Sequence, residues 1–257
     1  MIYTVSDTHS FYAPFTEALD EKGFFENEKN KLLLLGDALD RGPDTKRMIE
    51  FLLSLHREGR LIYVKGNHEW LFIECLQELS RGKVFEIACG MSPHYLNGTF
   101  STMLEIADMT EVEAVSAPDE LVRRVMASDY YNILLPECVN YYETEKYVFT
   151  HGFIPCDFND SKECLNLYKY NPEWRNADNL DWHKASWLNG IDMVCKYNIL
   201  VPDKTIVVGH IRSSYGHTRY NGSTDKNNFS VFSTNGLLAI DACTVKSGKV
   251  NCLCFEE

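Results

Sequence analysis

The chain opens with short apolar runs alternating with amphipathic stretches. IYTV (2–5) reads as a short strand, and the region from Pro14 to Lys22 as a helix. KLLLL (31–35) is the most hydrophobic run and reads as a buried strand. Asp44 is placed to cap a helix running through about His56. Met48, Ile49, Leu52 and Leu55 would share its inner face, and Gly59 suits its C-terminal stop. RLIYV (60–64) is a third strand. A helix is expected from Glu69 to about Leu79, with Leu71, Phe72, Cys75, Leu76 and Leu79 turned inward. A β-α-β-α-β order favours an α/β fold, with parallel strands and helices packed on the sheet.

Beyond residue 80 the pattern loosens. Residues 83–130 read as a helical insertion over the site, and the polar, aromatic stretch 156–200 as a rim of loops and short helices. YVFT (147–150), TIVVG (205–209), FSVF (229–232), LLAI (237–240) and VNCLCF (250–255) are the later strands. The last three are expected to form an antiparallel meander. With no repeat, low-complexity tract or Gly/Ser linker, residues 1–257 are expected to form one domain.

Charge and composition narrow the function classes. The formal net charge of −12 disfavours a large nucleic-acid footprint, which needs a basic face. No apolar run approaches the roughly 18 residues of a membrane span, so no membrane partner is expected. MIYTVSDTHS lacks the basic and apolar regions of a signal peptide, which makes the cytosol the expected location. The nine cysteines contain no CxxC pair and read as reduced, mostly buried thiols.

The polar residues that follow the strands change the picture most. After IYTV come Asp7 and His9. After KLLLL come Asp37, Asp40 and Arg41. After RLIYV come Asn67 and His68, after YVFT comes His151, and after TIVVG comes His210. Taken singly, each block has an ordinary explanation as a surface turn, a capped loop or a core histidine. Taken together, five strands end in metal-ligand residue types. Parallel strands would gather the first of these on one sheet edge, where α/β folds place ligands. Carboxylate, imidazole and amide oxygen suit Mn, Fe or Zn, and one carboxylate can bridge two ions. The absence of thiols argues against a structural zinc site. His56, His94, His183 and His217 are assigned no role.

In order, SDTH, GDALDRG, GNHE, HG and VVGH resemble the blocks of the calcineurin-like metallophosphoesterases. GDALDRG and GNHE point to the phosphoprotein phosphatase branch. By pattern the chain is similar to phage lambda type protein phosphatases and to symmetrical diadenosine tetraphosphate hydrolases. LLAIDACTVKSGKVNCLCF (237–255) resembles their closing hairpin, with Asp241 in place. The resemblance implies a four-layer fold of two packed mixed β-sheets flanked by helices, with a dinuclear metal site at the strand ends. It implies one ion on Asp7, His9 and Asp37, and a second on Asp37, Asn67, His151 and His210. It further implies attack on phosphorus by a metal-bridging hydroxide, with Arg41 clamping the phosphate beside Asn67. His68 would serve as general acid, oriented by Asp40.

The family's second phosphate-binding arginine is missing: SWLNG (186–190) carries Asn189 in its place. Arg175 and Arg212 are the candidate replacements, with Arg175 favoured. The expected activity is hydrolysis of phosphomonoesters, on phosphoprotein or small phosphate esters. The alternatives are hydrolysis of dinucleoside polyphosphates, a non-catalytic binding module on the same fold, and, more weakly, a nucleic-acid phosphodiesterase.

Overall fold

Lys31–Leu35 can be apolar at every position because both of its faces are covered. Leu32 and Leu34 pack into a core built with helices, whereas Leu33 and Leu35 pack into a second core between two sheets. The computed structural model describes residues 1–158 and 167–256. It begins with β1 (Ile2–Val5), α1 (Tyr12–Glu21), β2 (Lys31–Leu35), α2 (Thr45–Arg57), β3 (Leu61–Val64) and α3 (Asn67–Leu79). The predicted β-α-β-α-β order is present, and β1, β2 and β3 pair in parallel.

Two helix boundaries move from the expected positions. Helix α1 starts at Tyr12, before Pro14. Helix α3 starts at Asn67, because Gly66 takes the cap position and Glu69 accepts its backbone N–H at 2.7 Å. Asp44 does stand at the cap position of α2, but its side chain makes no cap hydrogen bond.

The insertion is helical. It contains α4 (Val84–Ala88), α5 (Pro93–Leu96), α6 (Thr99–Ala107), α7 (Glu111–Ser116) and α8 (Pro118–Met126). Phe100, Met103, Leu121 and Val125 join the same core as α2 and β2, so the insertion is packed onto the sheet layer. Next come β4 (Tyr142–Glu143), β5 (Tyr147–Phe149), β6 (Cys156–Phe158), β7 (Tyr168–Tyr170), α9 (Asn179–Ser186) and α10 (Gly190–Cys195). The part of the expected rim at 159–166 lies outside the described residues. The chain ends with β8 (Thr205–Val208), α11 (Ser213–Tyr220), β9 (Phe232–Thr234), β10 (Leu237–Ala239), α12 (Thr244–Ser247) and β11 (Leu253–Phe255).

The strands form two mixed sheets, ordered β11-β1-β2-β3 and β4-β5-β8-β10-β9, and β6 pairs with β7 in a separate ribbon. The expected closing meander is therefore half right. Strands β9 and β10 do pair antiparallel, although β9 begins at Phe232. Strand β11 instead crosses to the other sheet and pairs with β1, Ile2 opposite Phe255. The physical reason lies in Phe255: it packs edge-on against Tyr147 and Phe149 in the core between the sheets. A third core, with Val148, Ile206, Val208, Trp174 and Trp182, covers the outer face of the second sheet. The layers run helices, sheet, sheet, helices, as expected. Among the described residues no helix is long and apolar enough to cross a membrane. The described cysteines are free thiols; Cys164 lies outside them.

Candidate metal centre

The C-terminal ends of β1, β2 and β3 lie side by side, and the residues beyond them turn sharply. Asp7, His9, Asp37, Asp40 and Arg41, and His210 beyond β8 of the other sheet, all have left-handed backbone, with φ between 48° and 72°. Such conformations cost on the order of 1–3 kcal/mol each, less for Asp and His than for Arg, and cluster where a site over-determines them. Cross-strand bonds hold the turns: His9 N donates to Asp37 O at 3.0 Å and Ser10 N to Ala38 O at 2.7 Å. Gly36, at φ 73°, passes so near Gly66 that a Cβ would lie 2.5 Å from its Cα. That approach sets the ends of β2 and β3 together.

Glu69 pins the same junction. Its buried carboxylate accepts from the backbone N–H of Asp37 (3.0 Å), Ala38 (3.2 Å) and Gly66 (2.7 Å), and from Tyr63 OH (2.6 Å). The strand-end motifs do not include this residue, although a Glu three residues past a helix N-cap is placed to accept the cap residue's N–H, the acidic half of a capping box. The start of α3 in turn faces Asp37, whose Oδ1 accepts from His68 N at 3.0 Å. A carboxylate there is stabilised by the helix N-terminus.

Two groups of side chains bring metal-ligand atoms within 4.8 Å of one another: His9, Asp37 and His68, and Asp37, His151 and His210. Asp37 is common to both. Asp7 falls in neither group but lines the same cavity, and its Oδ2 accepts from His210 N at 3.0 Å. Asn67 stands 2.8 Å from His151. His68 is already committed: its Nδ1 lies 2.6 Å from Asp40 Oδ2, and its Nε2 2.9 Å from an Arg41 nitrogen.

The donor atoms fit cations. Leu35 O can only accept, so His151 Nδ1, 2.7 Å away, carries the proton and Nε2 presents a lone pair. That lone pair faces Asn67 Oδ1, another acceptor, and lies 3.4 Å from Asp37 Oδ1. Three acceptors in such proximity repel unless a cation or a proton lies among them. His9 repeats the arrangement. Its Nδ1 is 3.0 Å from Leu39 O, and its Nε2 receives the cationic Arg41 guanidinium at 2.9 Å.

Burial holds His9 and His151 well below the ordinary imidazole range, and holds His210 down at about 4, leaving neutral rings able to ligate. Burial also pushes the carboxyls up. Asp7 is raised further by Asp241 and Asp37, and Asp37 by Glu69. Asp241 is pushed up to about 6 by burial.

These opposed shifts give the metal-stripped protein a definite pH dependence. Raised carboxyls stabilise the fold at low pH, and that contribution is lost as pH rises through their folded pKa values. Depressed histidines act oppositely: their contribution is lost as pH falls, and is nearly complete only by about pH 7.5, a unit above the ordinary imidazole value. At pH 8 the crowded carboxyls disfavour the metal-free fold, and a bound cation offsets them. Adding Mn to the EDTA-dialysed protein at pH 8 should therefore raise its Tm. A Tm that Mn leaves unchanged would contradict this electrostatic account.

A cavity of about 580 Å³ opens over these residues. Arg41, Asn67 and His68 line it, together with Arg212, Lys246 and Trp187. Arg175 does not: its guanidinium pairs with Glu143 and its Cζ lies 4.2 Å from the Trp174 ring centroid. Of the two candidate replacements for the second arginine, Arg212 lines the cavity and Arg175, the one favoured from the sequence, does not. Asn189 also lines the cavity, but its Oδ1 caps α10, accepting from Asp192 N at 3.1 Å. Trp174 and Trp182 are core residues, whereas Trp187 is 44% exposed and sits edge-on to His210. None of His56, His94, His183 and His217 lines the cavity.

The insertion contributes polar contacts that the motifs did not announce. Asn97 Oδ1 accepts from Arg41 at 3.0 Å, and Thr99 and Thr102 donate to Asp40 at 2.8 and 2.6 Å.

Comparison with known proteins agrees with this arrangement. The chain is 40% identical to a symmetrical bis(5'-nucleosyl)-tetraphosphatase of Buchnera aphidicola over 68 residues, 26% of this chain and 24% of that one. It is 24% identical to an asymmetrical bis(5'-nucleosyl)-tetraphosphatase of Bacillus subtilis over 137 residues, 51% of each. The matches thus span from about a quarter to about half of these relatives' lengths. A crystal structure of a putative diadenosine tetraphosphatase superposes with a TM-score of 0.50 at 13% identity, over 98% of this chain and 87% of that one; the likeness is one of fold. Residues 1–236 match the family described as calcineurin-like phosphoesterase. With the two-sheet fold and the ligand groups at its strand ends, that match decides the family: the chain belongs to the calcineurin-like phosphoesterases.

Proposed function

We propose that this phosphoesterase hydrolyses phosphomonoesters, phosphoserine and phosphothreonine among them, at a centre of two divalent metal ions. The single observation that carries the reading is His68, which lies within ligand distance of His9 and Asp37 yet is held between Asp40 and Arg41. A module that only bound phosphate would need no such acid. Asp7, His9 and Asp37 would hold one ion, and Asp37, Asn67, His151 and His210 the other, with Mn the first choice and Fe or Zn also suited. When bound, the ions supply positive charge for the phosphoryl oxygens and lower the pKa of water.

The chain's own residues do the rest. Arg41 presents a bidentate fork, and an incoming phosphate draws its donors from the imidazoles to the phosphoryl oxygens. His68, relieved of the guanidinium, takes up a proton from solvent on Nε2 and delivers it to the leaving oxygen, while Asp40 keeps Nδ1 protonated and the ring oriented. Asn67 adds an amide contact, and Arg212 serves as the second cation at the cavity wall.

Arg212→Ala should raise KM for an aryl phosphate roughly tenfold, the loss of a charge-assisted bond. Arg175→Ala should leave KM within about twofold. The reverse order in steady-state kinetics would restore Arg175 to the site.

A second reading, hydrolysis of dinucleoside tetraphosphates, is favoured by the two curated relatives and by Trp187, an exposed ring at the cavity where a nucleobase could stack. A panel in Mn separates the readings. An aryl phosphate, a phosphopeptide, diadenosine tetraphosphate and an aryl diester would be compared, with Asp37→Asn as control. Fastest turnover of the monoesters supports the first reading, and fastest turnover of the tetraphosphate the second. No turnover of any would defeat both.

A further inference from the structure

Asp40 is 2% exposed and sits 2.6 Å from His68 Nδ1, which leaves three acceptor sites on its two oxygens to be satisfied inside the protein. The insertion satisfies two of them. Thr99 Oγ1 donates to Asp40 Oδ2, the oxygen that also receives His68, and Thr102 Oγ1 donates to Oδ1. Both threonines are fully buried, at 0% and 2% exposure. They stand three residues apart on the first turns of α6, so both hydroxyls come off one helix face. The backbone before them is shaped for the same approach. Gly98 has φ 89°, and a Cβ there would lie 2.8 Å from Arg41 N. Asn97, one residue earlier, holds the Arg41 side chain. The segment Asn97–Thr102 is thus fitted to Asp40 and Arg41 at four successive points.

We infer that Thr99 and Thr102 are positioning residues for the proposed reaction, fixing Asp40 in the one rotamer that holds His68 in line with the leaving group. The inference rests on the phosphoesterase reading for its kinetic consequence, but not for its structural one. With one hydroxyl on each oxygen, the carboxylate cannot rotate without breaking a buried hydrogen bond, and an unpaired buried acceptor is costly. His68 takes its orientation from that carboxylate. Thr99 and Thr102 then contribute to proton delivery without lining the cavity, and the turn at Arg41 and helix α6 act as one unit.

The test uses the valine pair Thr99→Val/Thr102→Val, which keeps shape and removes both hydroxyls, and the serine pair Thr99→Ser/Thr102→Ser, which keeps them. The single variant Thr102→Val stands in if the double variant does not fold. The first readout needs no substrate: the downfield proton NMR signal of His68 Nδ1–H, assigned by its loss in His68→Asn. The valine pair should shift or broaden it, and the serine pair should restore it. The second readout is turnover of phenyl phosphate, a poor leaving group, against 4-nitrophenyl phosphate, a good one. The valine pair should lose roughly 10-fold or more on the former with little change on the latter, while metal content stays at wild-type level. In a His68→Asn background the valine pair should cost nothing further.

An unchanged NMR signal in the valine pair would overturn the inference, as would equal loss on both substrates. A wild-type protein that turns over neither ester, yet shows the NMR response, would instead defeat the phosphoesterase reading and leave the positioning role standing.

Discussion

Replacing Asp37 by Asn should empty the centre and abolish turnover while leaving the fold intact. Asp37 alone belongs to both ligand groups, so its carboxylate is the one side chain asked to serve two ions. An amide keeps an acceptor oxygen for His68 N and so preserves the local backbone. It removes the negative charge that a bridging ligand must supply. Turnover should fall by ~10³-fold or more, ~4 kcal/mol of transition-state stabilisation. The same change should help the metal-free fold, because it removes a buried carboxyl whose ionisation burial and Glu69 oppose. In EDTA at pH 8, Asp37→Asn should therefore melt above the wild type. With Mn the order should reverse. Calorimetric melts with and without metal check both signs, and a variant that binds Mn as wild type does would remove Asp37 from the bridge.

The second large effect is expected from His68→Asn. The ring is not among the proposed ligands: its Nδ1 is bonded to Asp40, and both ions have their ligands without it. Metal content should therefore stay at the wild-type level. Loss of a general acid costs typically 10²–10⁴-fold where the leaving group needs a proton, and much less where it does not. A plot of log kcat against leaving-group pKa should steepen in the variant. Parallel plots for variant and wild type would remove the acid role and leave His68 as a structural partner of Asp40.

Much of this was legible in the sequence, for reasons that can be named. KLLLL could be read as a strand buried on both faces because nothing in it is polar beyond Lys31. The strand-end residues could be read because each is a short polar break directly after an apolar run. What escaped reading is what depends on long-range contact. Thr99 and Thr102 are ordinary residues at a helix start, and only the fold brings them to Asp40, some 60 positions earlier, with separations of 59 and 62. Strand β11 carries no mark of which sheet it will join; Phe255 decides that by packing against Phe149. Arg175 is favoured over Arg212 along the chain because it follows a Trp, and Glu143, which pairs with Arg175, is a partner that no local pattern indicates. Glu69 is the exception. Its place three residues past Gly66 is visible locally, although its reach to the backbone of Asp37 and Ala38 is not.

The central claim is that two divalent ions, held at the ends of the strands, carry phosphate-ester hydrolysis. It is tested most directly by titrating the EDTA-dialysed protein with Mn while following hydrolysis of 4-nitrophenyl phosphate and bound metal together. The account predicts no turnover without metal, and activity that rises with occupancy and levels off at two ions per chain. Turnover that persists in chelator, or two bound ions with no hydrolysis of any phosphate ester, would contradict it.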